Sequence, residues 1–352
     1  MENLDTKQLL LAFSSLTGVS GREDAVAEYA ATLLAPFGPV ERTPLGSVIC
    51  RVQPPQQNGP HLLLEAHMDE IGMITTFIDD SGFLKVASCG RMDARTLSAA
   101  PVWVHTQNGP LPGVICSTPP HLSVGQKQQT PAVADIAIDI GFDGPGAKQR
   151  IQLGDRITLA APARLLGVSD TLVSGKALDD RSGCVAHLKA LEYLVGNIPA
   201  SIGLTVAFTS LEEVGGMGAK TTAYTVGPTH AISIDVSFAM TPDSTRTDCG
   251  LLGAGPMIGF APILSDSLSR QLVALAQEQD IPYQREIMSG RTGTNMDQIA
   301  TSRGGVIGGL ISIPQKYMHT PIEVVDATDV ENTAKLVAAY VRHLGQLEGG
   351  RS

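Results

Sequence analysis

The stretch Ala66-His67-Met68-Asp69-Glu70-Ile71-Gly72 follows directly on His61-Leu62-Leu63-Leu64-Glu65. The apolar run reads as a short buried strand. A strand that ends in His-x-Asp delivers an imidazole to the edge of a sheet, with a carboxylate two residues on. Side chains at i and i+2 of an extended segment point the same way. Asp69 is therefore placed to accept a hydrogen bond from the His67 ring nitrogen that does not bind metal. Such a bond fixes the tautomer and ring angle of a metal-ligating histidine. By itself the motif more often marks a hydrogen-bonded structural histidine, so the metal reading rests on four further clusters downstream.

The elements around this motif alternate. Helical spacing at 5–16 and 22–36 flanks the turn Gly18-Val19-Ser20-Gly21. Ser20 or Gly21 is the expected cap of the second helix, and Arg22-Glu23-Asp24 brings acid to its first turn. Short strands are expected at 46–53 and 61–66. From about 72 to 163 the texture changes. Short β-type runs at 73–78, 84–87, 102–106, 113–116, 134–140 and 156–159 alternate with Gly, Pro, Asn and Asp turns, without a long amphipathic helix. That pattern reads as a small β-barrel or sandwich. Beyond 167 the alternation returns, with helices expected at 181–195, 217–224, 267–279 and 327–344 and strands at 202–210, 231–235 and 305–313. Neither flanking part alone has enough strands for a sheet. The expected organisation is one α/β domain, 1–71 plus 164–352, interrupted by an inserted β domain at 72–163.

Composition narrows the class. Apolar residues make up 43% and charged residues 17% of 352, which suits a chain with a sizeable packed core. The net charge of −10 argues against nucleic acid and anionic membrane surfaces as partners. Cys50, Cys89, Cys116, Cys184 and Cys249 are odd in number and scattered, which fits reduced thiols in a cytosolic protein rather than a disulfide framework or a Cys-zinc site. No basic, apolar leader opens the chain and no run of about 18 apolar residues occurs, so neither a signal peptide nor a membrane span is expected.

Four clusters follow in the second α/β part. Lys176-Ala177-Leu178-Asp179-Asp180-Arg181-Ser182-Gly183 precedes a helix. Its acids suit a helix N-cap, or one Asp bridging two metal ions while the other supports it. Ser210-Leu211-Glu212-Glu213-Val214-Gly215-Gly216 follows an apolar strand. Adjacent side chains diverge, so one carboxylate can bind metal while its neighbour reaches a water, the ligand-plus-base division that hydrolysis needs. Asp235 ends the apolar run Ile232-Ser233-Ile234, and Tyr317-Met318-His319-Thr320-Pro321 supplies a second imidazole. In open α/β sheets ligands collect at the carboxyl ends of strands, where His67, Glu212, Glu213 and Asp235 all fall. A glycosidase acid pair is disfavoured, because such carboxylates face each other across a bond at about 5–9 Å and come from separate elements. The histidines at 61, 105, 121, 187, 230 and 343 sit in no acidic cluster, and no phosphate loop is present.

Two histidines and at least three carboxylates, without cysteine, suit Zn²⁺, Co²⁺ or Mn²⁺ more than Ca²⁺ or Mg²⁺. Five ligands with one bridging carboxylate suit two metals roughly 3.5–4 Å apart, a spacing used by hydrolases. The residues thus point to a metal-dependent hydrolase before any family is considered.

These clusters, in this order, resemble the TET-type family of di-metal aminopeptidases, some members of which carry older glutamyl-aminopeptidase or endoglucanase labels. The matching segments are 17–21, 66–72, 175–183, 212–215, 233–235, 292–297 and 312–325, the last being the most specific. The resemblance implies a phosphorylase/hydrolase-like mixed-sheet catalytic domain with an inserted β-barrel for dimerisation. It implies His67 and Asp235 on one metal, Glu213 and His319 on the other, and Asp179 bridging, since the position of Asp180 is often Asn in the family. It further implies Glu212 as general base and Asp69 as the support of His67, with zinc or cobalt as the metal. Short peptides with a free N-terminus would be the substrates, and dimers would assemble into a twelve-subunit tetrahedral shell. The chain departs from the family's usual Thr-Gly-Thr-Asp at Asn295, and has Phe238 where a His is common. Both departures bear on substrate choice.

Overall fold

Seven consecutive buried residues, His61–His67, form a central strand of an 11-stranded mixed sheet. The computed structural model describes residues 5–122, 130–168 and 170–349. His61–His67 lies between Gly203–Thr209 and His230–Phe238, parallel to both, and Ile307–Lys316 runs parallel beyond the latter. Strands covered on both faces read as unbroken apolar runs rather than alternating ones, which is why these are legible as short buried strands. Antiparallel strands complete the sheet. Val48–Gln53 and Val40–Arg42 lie on one side, and Glu323–Asp326, Leu172–Gly175 and Arg164–Leu166 on the other. Met257–Phe260 pairs with Gln284–Ile287 and joins the sheet against Ile307–Lys316.

The helix Leu178–Leu194 is buried almost all round. It is packed between the sheet, the helix Thr6–Ser15 and the long helix Ala327–Gly349. Its first turn therefore lies deep in the molecule, where Asp179 and Asp180 are buried.

Six strands close a barrel in the order Gly72–Ile78, Leu84–Cys89, Ala137–Asp139, Gly109–Ile115, Pro101–Thr106, Arg156–Leu159. Closure removes exposed strand edges. Met73, Leu84, Val102, Val104, Ile138 and Ile157 fill its interior as a core separate from that of the sheet. The chain enters the barrel at Gly72, immediately after the His-x-Asp motif. A Cβ on Gly72 would come within 2.5 Å of a Val19 methyl and 2.8 Å of the Ile157 carbonyl, so only glycine fits where barrel and sheet meet.

Several local expectations change. The second helix starts at Asp24, and neither Ser20 nor Gly21 caps it: Glu23 takes the cap position with no side-chain bond. Ser20 is drawn away because Val19 bridges to Glu70, which turns the Ser20 hydroxyl onto Asp69. The run at 134–140 splits into a 3₁₀ turn, Val133–Asp135, and the short strand Ala137–Asp139. The strands Val40–Arg42, Arg164–Leu166, Leu172–Gly175, Met257–Phe260, Gln284–Ile287 and Glu323–Asp326 go unread in the sequence. Each has three or four residues, too few for a period to show. Among the described residues no helix is long and apolar enough to cross a membrane.

Candidate metal centre

Three parallel strands bring their carboxyl ends to one point. His67 closes the first, Asp235 lies in the second, and Glu212 and Glu213 follow the third. Asp179 comes from the first turn of Leu178–Leu194, and His319 from the loop between Ile307–Lys316 and Glu323–Asp326. The six side chains expected to work together therefore converge from five segments.

The Asp179 carboxylate stands in the middle. Its Oδ1 is 3.1 Å from His67 Nε2 and its Oδ2 is 3.2 Å from His319 Nε2. Glu213 Oε2 is 3.4 Å from His319 Nε2. Asp235 Oδ1 and Glu212 Oε2 each lie 4.0 Å from His67 Nε2. Two overlapping donor sets fall within 4.8 Å, His67–Asp179–Glu213 and His67–Asp180–Asp235. Asp180 lies close to His67 and Asp235, but its oxygens are already engaged. Oδ2 accepts the His67 amide at 3.3 Å, and Oδ1 accepts the Gly183 amide at 3.1 Å in the manner of an N-cap. Asp179, with an oxygen facing each imidazole, is the freer donor. Both residues leave helical geometry, and the peptide bond between them is cis.

The support of this cluster differs from expectation at Asp69. His67 Nδ1 lies 3.2 Å from the Asp69 backbone carbonyl and 3.6 Å from its carboxylate. The carboxylate instead accepts the amides of Glu212 at 3.0 Å and Glu213 at 3.2 Å, and the Ser20 hydroxyl at 2.7 Å. Asp69 thus ties the Glu212–Glu213 loop to the end of the His67 strand. Leu211, at φ 60°, makes the turn that brings these amides inward.

Two supporting carboxylates escape the sequence reading. Buried Glu323 accepts the amides of Leu178 at 2.8 Å and Asp179 at 3.1 Å through Oε2, and that of His319 at 3.1 Å through Oε1. Buried Glu65 accepts Thr209 and Ser233 hydroxyls at 2.6 Å each and the Asn295 side-chain amide at 2.7 Å. The segment match over 312–325 contains Glu323, which was the available signal. Nothing in its sequence neighbourhood tells its carboxylate from a solvated one.

Electrostatics shows what the cluster is suited to hold. Burial, then the Asp179 charge, pushes Glu213 well above the usual carboxylate range. Burial also raises Asp235 strongly, and it raises Glu212 to about 7. Burial disfavours a charged His67, but Asp179, Glu212 and Asp235 outweigh it and hold its pKa well above the usual value. Burial likewise opposes ionisation of Asp179, yet hydrogen bonds from His319 and His67 leave it below the usual range. Glu323 is raised by burial and by Asp179, against the pull of its three amides. So many buried carboxylates around two imidazoles are costly unless they coordinate cations. Oxygen and imidazole donors without thiolate fit divalent metal ions.

The cluster opens into a cavity of about 780 Å³ lined by Asp179, Glu212, Glu213, Asp235 and His319. The two departures from the family pattern separate here. Phe238 lines the cavity and is 58% exposed. Asn295 is buried beneath it, bonding Glu65 and Thr209, so it touches the support of the strand ends rather than the space for substrate.

The family model of the M42 glutamyl aminopeptidases matches residues 46–336. The lysyl aminopeptidase of Pyrococcus furiosus is 30% identical over 86% of this chain and 87% of its own length. Among solved structures, the aminopeptidase APDkam598 of the archaeon Desulfurococcus kamchatkensis superposes with a TM-score of 0.88 at 33% identity, covering 97% of both chains. The TET1 peptidase of Pyrococcus horikoshii, which can assemble into a tetrahedron or a large octahedral shell, gives 0.83 at 30% identity, covering 96% of this chain and 99% of its own. The likenesses span sheet, barrel and strand ends alike, and the chain belongs to the M42 glutamyl aminopeptidase family of peptidases.

Proposed function

We propose that this peptidase is a co-catalytic di-metal aminopeptidase that removes N-terminal residues from short peptides. The observation that carries the reading is the Asp179 carboxylate, whose two oxygens face two different imidazoles. One ion would be held by His67, Asp235 and Asp179, and the other by Glu213, His319 and Asp179, with zinc or cobalt suiting these donors. Bound there, the pair supplies Lewis acidity toward the scissile carbonyl and lowers the pKa of water. Glu212 takes the proton of the attacking water and delivers it to the leaving amine. Asp69 holds the Glu212 and Glu213 amides, which keeps base and ligand aligned with His67. The free N-terminal amine of the substrate would bind near the metals, opposite the carboxylates that surround them.

The same reading takes 1–71 plus 164–352 as the catalytic domain and 72–163 as a barrel inserted for dimerisation. Phe77, Trp103, Val114 and Leu153 are exposed on that part and supply apolar surface for association. Dimers would build a cytosolic shell of about twelve chains, in line with the dodecamer and the tetrahedral shell of TET1 relatives. The names of relatives do not decide the N-terminal residue, since one is lysyl and the family is glutamyl.

Metal content tests the proposal. An active preparation should carry two transition ions per chain and lose activity on chelation. Asp179→Ala should empty both positions, and Asp180→Ala should lose less. Hydrolysis without bound metal refutes the centre, and the reverse order refutes Asp179 as the bridge. Preference for N-acylated over free-amine substrates would assign a deacylase instead.

A further inference from the structure

Beside the ligands and Glu212, two carboxylates line the cavity, and one of them, Asp297, is taken up by the Thr292 amide and hydroxyl and the Gly293 amide. Glu286, on the strand Gln284–Ile287, lines the same space. Its Oε1 accepts the Ser237 hydroxyl and its Oε2 accepts the Ser312 hydroxyl at 2.6 Å. Ser312 is the register partner of Asp235, and Ser237 lies two residues beyond Asp235 on the same strand. Residues two apart share a face and are about 7 Å apart along it. Glu286 is therefore pinned on the face of these strands that carries Asp235. A carboxylate has about four acceptor positions, and two hydroxyls fill two. Among the described residues it makes no ion pair. Met288, Leu310 and Met318 line the same cavity and give it apolar surface.

A cavity with apolar lining and a fixed carboxylate complements a side chain with a hydrocarbon stem and a cationic head. We propose that Glu286 selects lysine or arginine as the N-terminal residue of the peptide. The inference rests on the aminopeptidase reading and names its substrate class. A leucine side chain meets the apolar lining and leaves the carboxylate unpaired, and a glutamate side chain meets repulsion. Arg91 and Arg291 also line the cavity, but both are exposed, where solvent screens their charge. Glu286 is half-buried and held from two sides, which fixes the place of its charge in the cavity.

The test compares kcat/KM of the metal-replete full-length protein for Lys-, Arg-, Leu- and Glu-7-amido-4-methylcoumarin. Lys and Arg should exceed Leu by about 10–100-fold, the range expected for a charge-assisted contact, with Glu the poorest. Glu286→Gln retains polar partners for both serines. It should lower Lys and Arg by the same factor and leave Leu within about threefold, the size of a neutral change. A second readout needs no turnover. L-lysine should raise the melting temperature of wild type more than L-norleucine does, and Glu286→Gln should erase the difference. Glu286→Lys should turn the preference toward the Glu substrate. Equal rates on Leu and Lys, or equal losses on both in Glu286→Gln, overturn the proposal while leaving the aminopeptidase reading intact. Preference of wild type for Glu assigns the pocket to Arg91 and Arg291 instead. Failure on every free-amine substrate overturns the aminopeptidase reading itself, and equal protection by lysine and norleucine then rejects Glu286 separately.

Discussion

Glu323→Gln tests how the centre is held together. Glu323 is 2% exposed and one carboxylate serves three backbone amides, those of Leu178, Asp179 and His319. It thereby fixes the backbone of the proposed bridge and of one imidazole at once. Glutamine keeps a single oxygen. Placed toward Leu178 and Asp179, it satisfies two amides and sets its NH₂ against the His319 amide, donor against donor. The flipped rotamer opposes two amides, so the first is favoured. A buried donor left without its partner costs about 1–3 kcal/mol. If that loss falls on the placement of His319, affinity at the Glu213–His319 position drops about 5–100-fold, at about 1.4 kcal/mol per decade. That overlaps the losses seen when partners of metal ligands are removed. The His67–Asp235 position stands on the strands His61–His67 and His230–Phe238, which Glu323 does not touch. Zinc titration calorimetry on the demetallated variant should therefore show one ion bound as in wild type and one weakened. Equal weakening of both ions, or none, refutes the division of labour derived from these hydrogen bonds.

Three other perturbations have defined outcomes. Glu212→Gln should keep metal and fold yet lose about 10²–10⁴-fold in turnover, as expected for a positioned base; near-normal activity of the metal-replete variant removes Glu212 from the mechanism. Buried Glu70 accepts Lys176 Nζ at 2.7 and 2.8 Å, Arg181 at 3.2 Å and the Gly18 amide at 2.9 Å. Glu70→Gln strands two buried cations and should cost about 3–5 kcal/mol in urea unfolding, and an unchanged midpoint and slope would contradict this. Burial pushes the Glu23 carboxyl up to about 7 from its ordinary 4.5. The folded chain thus binds that proton more tightly than the unfolded one. The resulting stability is fully present below pH 4.5 and is lost as pH rises through 7, by up to about 3 kcal/mol. Glu23→Gln should flatten this decline between unfolding curves taken at pH 4.5 and pH 8, and a decline as steep as wild type would clear Glu23 of the effect.

The candidate site is legible where chemistry and local pattern coincide. His67, Glu212, Glu213 and Asp235 each stand at or just past the end of an unbroken apolar run, and such runs mark buried parallel strands whether or not their neighbours are known. The barrel is legible because short runs separated by turn residues need no long-range information. Asp69 is legible as a site residue but not in its contacts. The i, i+2 rule places its side chain beside His67, and only the fold shows that its carboxylate serves the Glu212 and Glu213 amides instead.

What the sequence by itself determines is therefore the inventory and the layout: α/β sheet, inserted barrel, two imidazoles, and carboxylates at strand ends. Periodicity and residue type are local properties, and they survive without coordinates. What only the tertiary structure decides is which acid faces which ring. The choice between Asp179 and Asp180 turns on Asp180 giving its oxygens to the His67 and Gly183 amides. The roles of Glu323 and Asn295 depend on partners 144 and 230 positions away. Glu286 looks like one more charge on a four-residue strand until Ser237 and Ser312 are seen to hold it beside Asp235. A hydrogen bond between distant segments depends on a fraction of an ångström in three dimensions. That is set by the packing of the whole sheet and helix layer, not by any neighbourhood along the chain.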